Sequence, residues 1–196
     1  RPLHRVEITR PFAVAKFPVT ESQWAQFDPR AAPSELPVVN VSWNDVQAYL
    51  AWLRQQTGAS FRLLTECEWE YCCRAGTSTV FHTGDNLEPS EANYLYDEHG
   101  FKVGCGHRTP PGAYPANAFG LECMSGNVCE WVEDAWRSNY ETDHATTTRV
   151  IRGGAWDYLP RLLRSAWRDA PLFPTPKKAL RQLPEHITLM GGARIL

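Results

Sequence analysis

The chain has 196 residues, 43% of them apolar and 21% charged, with a formal net charge of −2. These proportions are those of an ordinary globular protein of about one domain, and they exclude disordered, collagen-like and coiled-coil classes. No apolar run approaches the ~20 residues that span a bilayer, and no basic helix or Cys/His finger spacing points to nucleic acid.

The charge is uneven. Residues 149–196 carry nine Lys or Arg against three Asp or Glu, while residues 1–148 carry eleven against nineteen. Pairing of those arginines with carboxylates of the acidic part is the simplest expectation. The chain starts at Arg1 with neither Met nor an apolar leader, which reads as a trimmed terminus. Its location stays open between the cytoplasm and a cell or phage surface.

Along the chain, Val6, Ile8, Phe12, Val14 and Phe17 alternate loosely and suggest an edge hairpin. Three helix starts follow. Thr20 and Gln23 form a capping-box pattern opening a helix that carries Trp24 and Phe27. Ser42 and Asp45 repeat the device before Val46, Tyr49, Leu50 and Leu53, an i, i+3, i+4, i+7 stripe that ends near Gly58. Thr65 and Glu68 cap a third helix to about Arg74, closed by Gly76. From Thr77 to Tyr114, turn residues punctuate every few positions, which suggests a long organised loop region. Short strands are expected near Asn127–Trp131, Val150–Trp156, Leu163–Trp167 and Ala193–Leu196, and a helix over Ala179–Leu183. Without a Gly/Ser linker or internal repeat, residues 1–196 read as a single α+β domain.

The six cysteines are Cys67, Cys72, Cys73, Cys105, Cys123 and Cys129. None forms Cys-x-x-Cys, and Cys105 with His107 lacks a second ligand pair, so structural zinc is not expected. Cys67, Cys72 and Cys73 read as small core residues of the third helix. A disulfide involving Cys123 or Cys129 stays open.

Four segments carry a resemblance: Pro37–Trp43; Phe61–Tyr71 continuing to Thr77; Asn117–Leu121 with Met124–Trp131; and Arg149–Trp156 followed by Leu163–Arg168. In this order and spacing they closely resemble the formylglycine-generating enzyme, or sulfatase-modifying factor, family. The likeness covers nearly the whole chain and is weak at Gly191–Leu196. It implies an irregular variant of the C-type lectin fold.

The resemblance also implies two chemistries to look for. Oxidases of this family convert a sulfatase cysteine to formylglycine with copper, and two thiolates after the Gly-Gly-Ser-aromatic element hold the Cu(I). Those positions here are Tyr158 and Leu163, which have no thiol to offer. The family's calcium site uses a Gly-Asn-x-x-Glu-Trp element, matched by Gly126, Val128 and Glu130, but Cys123 stands where an oxygen ligand belongs. Calcium is at most a weak cofactor in this reading, and Glu130 has a structural alternative. Related sulfoxide synthases need a His cluster in another domain, and a serine hydrolase would need a Gly-x-Ser-x-Gly elbow, absent here.

A second group on the same fold, the variable proteins of diversity-generating retroelements, displays scattered diversified residues after the same Gly-Gly element. In that comparison residues 150–196 form the candidate variable region. Its ligand-contacting positions would be Trp156, Asp157, Tyr158, Leu159, Arg161, Leu162, Trp167, Asp169, Ala170, Leu172 and Phe173. Large aromatic and Arg side chains are the ones that make binding hot spots. Leu163 and Ala166 read as core, whereas Tyr158, Trp167 and Phe173 are expected at the surface. The sequence therefore points to a non-catalytic binder of an unknown protein or surface ligand. The alternative is an oxidase, or its accessory protein, acting on a sulfatase-like cysteine peptide.

Overall fold

A computed structural model describes residues 5–137 and 147–170, together with the backbone of three short strands at 178–179, 183–184 and 194–195. The three capping boxes all form. The helices are α1 (Glu21–Trp24), α2 (Trp43–Thr57) and α3 (Glu66–Arg74). At α3, for example, the Glu68 amide donates to Thr65 Oγ1 (3.3 Å) while Glu68 Oε2 accepts from the Thr65 amide (2.8 Å). Helix α2 ends at Gly58 with φ of 71°, and α3 at Ala75 with φ of 48°, one residue before Gly76. Helix α1 is a single turn, so Phe27 lies beyond it. Asp28 precedes Pro29, a position that disfavours continued helix.

The strands are short and draw distant parts of the chain together. In the three-stranded sheet, β3 (Cys129–Ala135) lies between β4 (Arg149–Arg152), antiparallel to it, and β5 (Lys178–Ala179), parallel to it. Glu130 faces Arg152 in the register, and the β3–β4 pairing is irregular between Trp131 and Ala135.

The strand β1 (Val6–Glu7) does not fold back as a local hairpin. It pairs with β7 (Arg194–Ile195), while Ile8, Phe12 and Val14 pack against the core. Similarly β2 (Phe61–Arg62) pairs with β6 (Leu183–Pro184). The helix expected over Ala179–Leu183 is replaced at both ends by strand pairing: Ala179 belongs to β5 and Leu183 to β6. Leu163–Trp167 is not a strand either. It follows a 3₁₀ turn at Pro160–Leu162, and Asp169 beyond it makes an isolated bridge to Ile151.

Three apolar clusters fill the interior. The first joins α1 and α2 (Trp24, Val46, Tyr49, Leu50) to Trp131, Ile151 and Ala155. The second packs α3 (Trp69, Cys72, Cys73) on Leu121, Met124, Val132 and Val150. The third gathers Phe81, Leu87, Ala92 and Tyr94 from the turn-rich stretch around Leu163. All six cysteines are free thiols, with Cys72 and Cys73 in the core as expected and Cys67 partly buried. No helix among the described residues is long and apolar enough to cross a membrane.

Candidate functional site

Strand β4 delivers the candidate segment through Gly153 and Gly154, both in the left-handed region at φ of 87° and 74°. A Cβ at Gly154 would lie 2.8 Å from the Leu162 carbonyl oxygen, so this close return of the chain requires glycine. Main-chain bonds then stitch the turn to two other segments. The Gly126 amide donates to Gly153 O (2.8 Å), the Trp156 amide to Asn127 O (3.0 Å), and the Asn127 amide to Asn93 O (2.9 Å). Asn127, at φ of 64°, places its side chain between Asn93 and Thr109: its Oδ1 accepts from Asn93 Nδ2 (3.0 Å) and the Thr109 amide (2.9 Å). This amide network was not legible in the sequence beyond the Gly-Asn pair, because Asn93 and Thr109 meet Asn127 only through the long loop region.

Beneath the segment sits a buried ionic cluster. Arg152, 1% exposed, bonds Glu66 Oε1 (3.0 Å), Glu70 Oε2 (2.6 Å) and the Ser165 carbonyl (2.7 Å). Arg168 lies 2.5 Å from the same Glu66 oxygen and its guanidinium rests over the Trp136 ring. Buried charges of this kind are tolerated only when paired, and the expected pairing of Arg152 and Arg168 is met. Arg164 differs: it is exposed and donates to the Arg161 carbonyl (2.7 Å).

The candidate ligand positions separate into distinct environments. Trp156, Asp157, Leu159 and Leu162 are half-buried, and Leu162 packs on the third cluster. Tyr158 and Trp167, expected at the surface, are half-buried instead. Their rings meet edge to face with centroids 5.6 Å apart and pack on the first cluster. That geometry buries aromatic area while leaving part of each ring at the surface. Asp169 exchanges main-chain hydrogen bonds with Ile151, and its Oδ1 accepts the Ala170 amide (2.8 Å). Ala166, expected in the core, is exposed, while Leu163 is fully buried. Leu172 and Phe173 lie outside the described residues.

Among the described candidate positions only Arg161 is exposed. Its side chain is 58% exposed, and Glu98 holds both its amide (2.6 Å) and Nη1 (2.9 Å). Sequence reading missed Glu98, which lies 63 residues away in the turn-rich stretch and has no local signature.

The copper positions do not fit copper. Leu163 presses its side chain against Gly126 and Gly154, and Tyr158 contacts the Cys129 thiol inside the core, where burial first and that thiol second push the phenol's pKa upward. Burial likewise raises Cys67 and Cys73 to about 11, so both stay protonated near neutrality and are poor thiolate donors. Among the described residues no three His, Cys, Asp or Glu side chains gather as a metal-holding group.

At the calcium-like element, Glu130 Oε2 accepts the Trp69 indole N–H (2.9 Å), and the Gly126 carbonyl accepts the Val128 amide (2.9 Å). Cys123 brings a sulfur 3.6 Å from Asn127 Nδ2. A hard cation wants oxygen ligands, and here a sulfur replaces one while the carboxylate already serves an indole.

Such a fold, few regular elements around an intimate Gly-Gly turn, defines a class, and the comparisons identify it. The chain belongs to the sulfatase-modifying factor enzyme 1-like domain family, which matches residues 1–180. The formylglycine-generating enzyme of Mus musculus is 35% identical over 139 residues, which are 63% of this chain and 36% of that protein. An inactive C-alpha-formylglycine-generating enzyme 2 of the same organism is 36% identical over 128 residues, 62% of this chain and 38% of that protein. The chain thus spans little more than a third of either relative. The family accordingly holds both active and inactive members.

Among solved structures, PvdO from Pseudomonas aeruginosa superposes with a TM-score of 0.81 at 28% identity, covering 95% of this chain and 85% of that one. Treponema denticola variable protein 1 gives 0.74 at 20% identity, with 88% and 84% covered, a likeness of fold.

Proposed function

We propose that this chain is a non-catalytic ligand-binding protein that presents the 156–173 stretch, diversified as in retroelement variable proteins, to a protein partner. One observation carries the reading. The two positions at which the family's oxidases would place copper thiolates are a fully buried Leu163 and a Tyr158 packed edge-on to Trp167. Neither offers a soft ligand, and filling that region with apolar side chains leaves a surface for contact instead of a cleft for chemistry. The mixture of half-buried aromatics with an exposed Arg161 suits a protein-binding patch, in which rigid aromatics anchor and polar groups orient.

Two experiments test it. Incubation with copper, oxygen and a Cys-x-Pro-x-Arg peptide should yield no formylglycine by mass spectrometry, and turnover would establish the oxidase alternative. Sequencing the flanking DNA should reveal a reverse transcriptase and a near-identical repeat of the codons for residues 150–196. Their absence would remove diversification and leave a lectin-type binder. In the same reading Glu130 is a structural acceptor for Trp69, so millimolar Ca²⁺ should leave the melting temperature unchanged. A saturable rise would instead assign Gly126, Val128 and Glu130 to a calcium site.

A further inference from the structure

A concavity of about 510 Å³ lies away from the 156–170 segment, between α1, the loop that follows it and the start of α2, and no residue of that segment lines it. The volume falls in the range of small-molecule sites. Its aromatic wall is the half-buried Phe27 ring, set edge to face at 5.4 Å on Trp24, which is 5% exposed and backed by Tyr49 at 4.9 Å. The stack fixes both rings before any ligand arrives, which lowers the ordering cost of binding. Valine and alanine side chains complete the apolar lining.

The charged groups at this concavity are unbalanced. Among the described residues Glu21, Asp28 and Asp45 line it with Arg30, and Arg108 pairs with Glu21 from outside the lining, which leaves one acid in excess. The Arg30 side chain is 88% exposed and folds back onto the Asp28 carboxylate through Nε and Nη2, both at 2.8 Å. Glu21 is held by Arg108 at 2.9 Å and accepts from the Ser34 hydroxyl. Asp45 uses one oxygen, Oδ2, to cap α2 through the Ser42 amide and hydroxyl. Glu21 and Asp28 both titrate below the ordinary carboxylate range. Burial works against the shift at Glu21, but its bonds to Ser34 and Arg108 outweigh it, while Arg30 causes the shift at Asp28. The carboxylates also sit in the acidic part of the chain, where residues 1–148 hold nineteen acids against eleven bases. The acid in excess, exposed Asp45, favours a positive head over an anion, and the half-buried Phe27 ring offers an apolar stem a surface.

We propose that this concavity is a second binding site, for an organic ammonium group whose apolar stem lies along Trp24 and Phe27 and whose charge is met by Asp28 and Asp45. The source is either a free amine or a lysine side chain on another polypeptide. None of the described residues 156–170 lines it, so the proposal does not rest on the reading of that stretch.

The test is a ¹H–¹⁵N NMR titration of the full chain with phenethylammonium, phenethyl alcohol, 3-phenylpropionate and N-acetyl-lysine methylamide. Phenethylammonium should shift the Trp24 indole, Phe27 and the amides of 38–41 saturably, and bind about tenfold tighter than the alcohol. The double variant Asp28→Asn/Asp45→Asn keeps hydrogen-bonding side chains at both positions, including the α2 cap. It should weaken ammonium binding about tenfold while the melting temperature holds and alcohol binding is untouched.

Saturation by phenethylammonium alone assigns a free amine, and saturation by the lysine derivative assigns a polypeptide partner. The proposal is overturned if neither ammonium saturates below about 10 mM. It also fails if the alcohol or the anion binds equally well, or if the shifts map to residues 156–170.

Discussion

Residues 149–155 and 156–170 are consecutive, yet they are built on different rules. In the first stretch Val150, Ile151, Arg152 and Ala155 are buried, Ile151 and Arg152 pair with Trp131 and Glu130 in the sheet, and the Arg152 guanidinium meets two carboxylates. In the second, turns replace strands and most side chains are half-buried. Some of its polar groups, such as Arg161 with Glu98, lie open, while Arg168 and Ser165 are buried against the scaffold. The contrast teaches that the Gly153–Gly154 turn marks where the scaffold ends. Before it, a changed side chain disturbs the core; after it, many positions can change while the backbone is held from outside the segment. This arrangement would tolerate surface variation.

The sharpest way to break the comparison is at Arg152. Arg152→Met should cost about 3–5 kcal/mol, because the buried Glu66 would keep its charge with one partner gone, while the half-buried Glu70 retains Arg74. Urea denaturation with an unchanged m-value measures it. A loss below about 1 kcal/mol would mean that the ionic cluster is not what fixes the scaffold.

Leu163 sharpens the boundary from the other side, since it lies after the turn but is fully buried. Leu163→Ala should cost about 2–5 kcal/mol through lost burial and a cavity beside Phe81 and Tyr94. Ala166, three residues on and exposed, should accept a serine with less than about 0.5 kcal/mol of change. Comparable losses at both positions would dissolve the distinction between buried anchor and exposed surface within this segment.

How much of this was readable beforehand follows the range of the physics. Helix starts are local, so Thr20, Ser42 and Thr65 declared them correctly, and Gly58 declared one end. Leu163 was readable as core because it belongs to a framework motif. The strand partners were not readable. Val6 pairs with Ile195 and Phe61 with Pro184, contacts across most of the chain that two-residue strands cannot announce. The missing copper ligands at 158 and 163 could be counted in the sequence. That Tyr158 and Trp167 would shield one another, leaving each half-buried, depended on the Pro160–Leu162 turn that brings them together.

A smaller effect tests the turn-rich stretch, which supplies both Phe81 of the third cluster and its neighbour His82. Burial depresses the His82 pKa below 6.5, with Glu91 opposing the shift. The folded state therefore takes up this proton less readily than the unfolded chain. The stability that follows is complete above about pH 6.5 and is lost as the pH falls through the folded value. Melting temperature should decline as the pH falls below about 6.5, and His82→Gln should flatten that decline. An unchanged slope in the variant would remove His82 from the account. Glu21 and Glu68 are shifted below 4.5, so their losses lie at lower pH.

The smallest expected effect is the most specific to the 156–170 segment. The Arg161–Glu98 ion pair is 58% and 44% exposed, and pairs so open contribute between about 0 and 1 kcal/mol. Arg161→Ala should therefore change stability by less than about 0.5 kcal/mol. It also keeps the Arg161 amide, which still donates to Glu98 Oε1. Glu98→Ala removes both bonds, so the 3₁₀ turn at Pro160–Leu162 loses its external tether. Hydrogen exchange at the Arg161 amide should accelerate in Glu98→Ala and stay near the parent rate in Arg161→Ala. Equal rates in all three proteins would show that the segment holds its shape unaided. In that case its conformation would come from the Gly153–Gly154 turn and the buried Leu163 alone, with no contribution from the loop that carries Glu98.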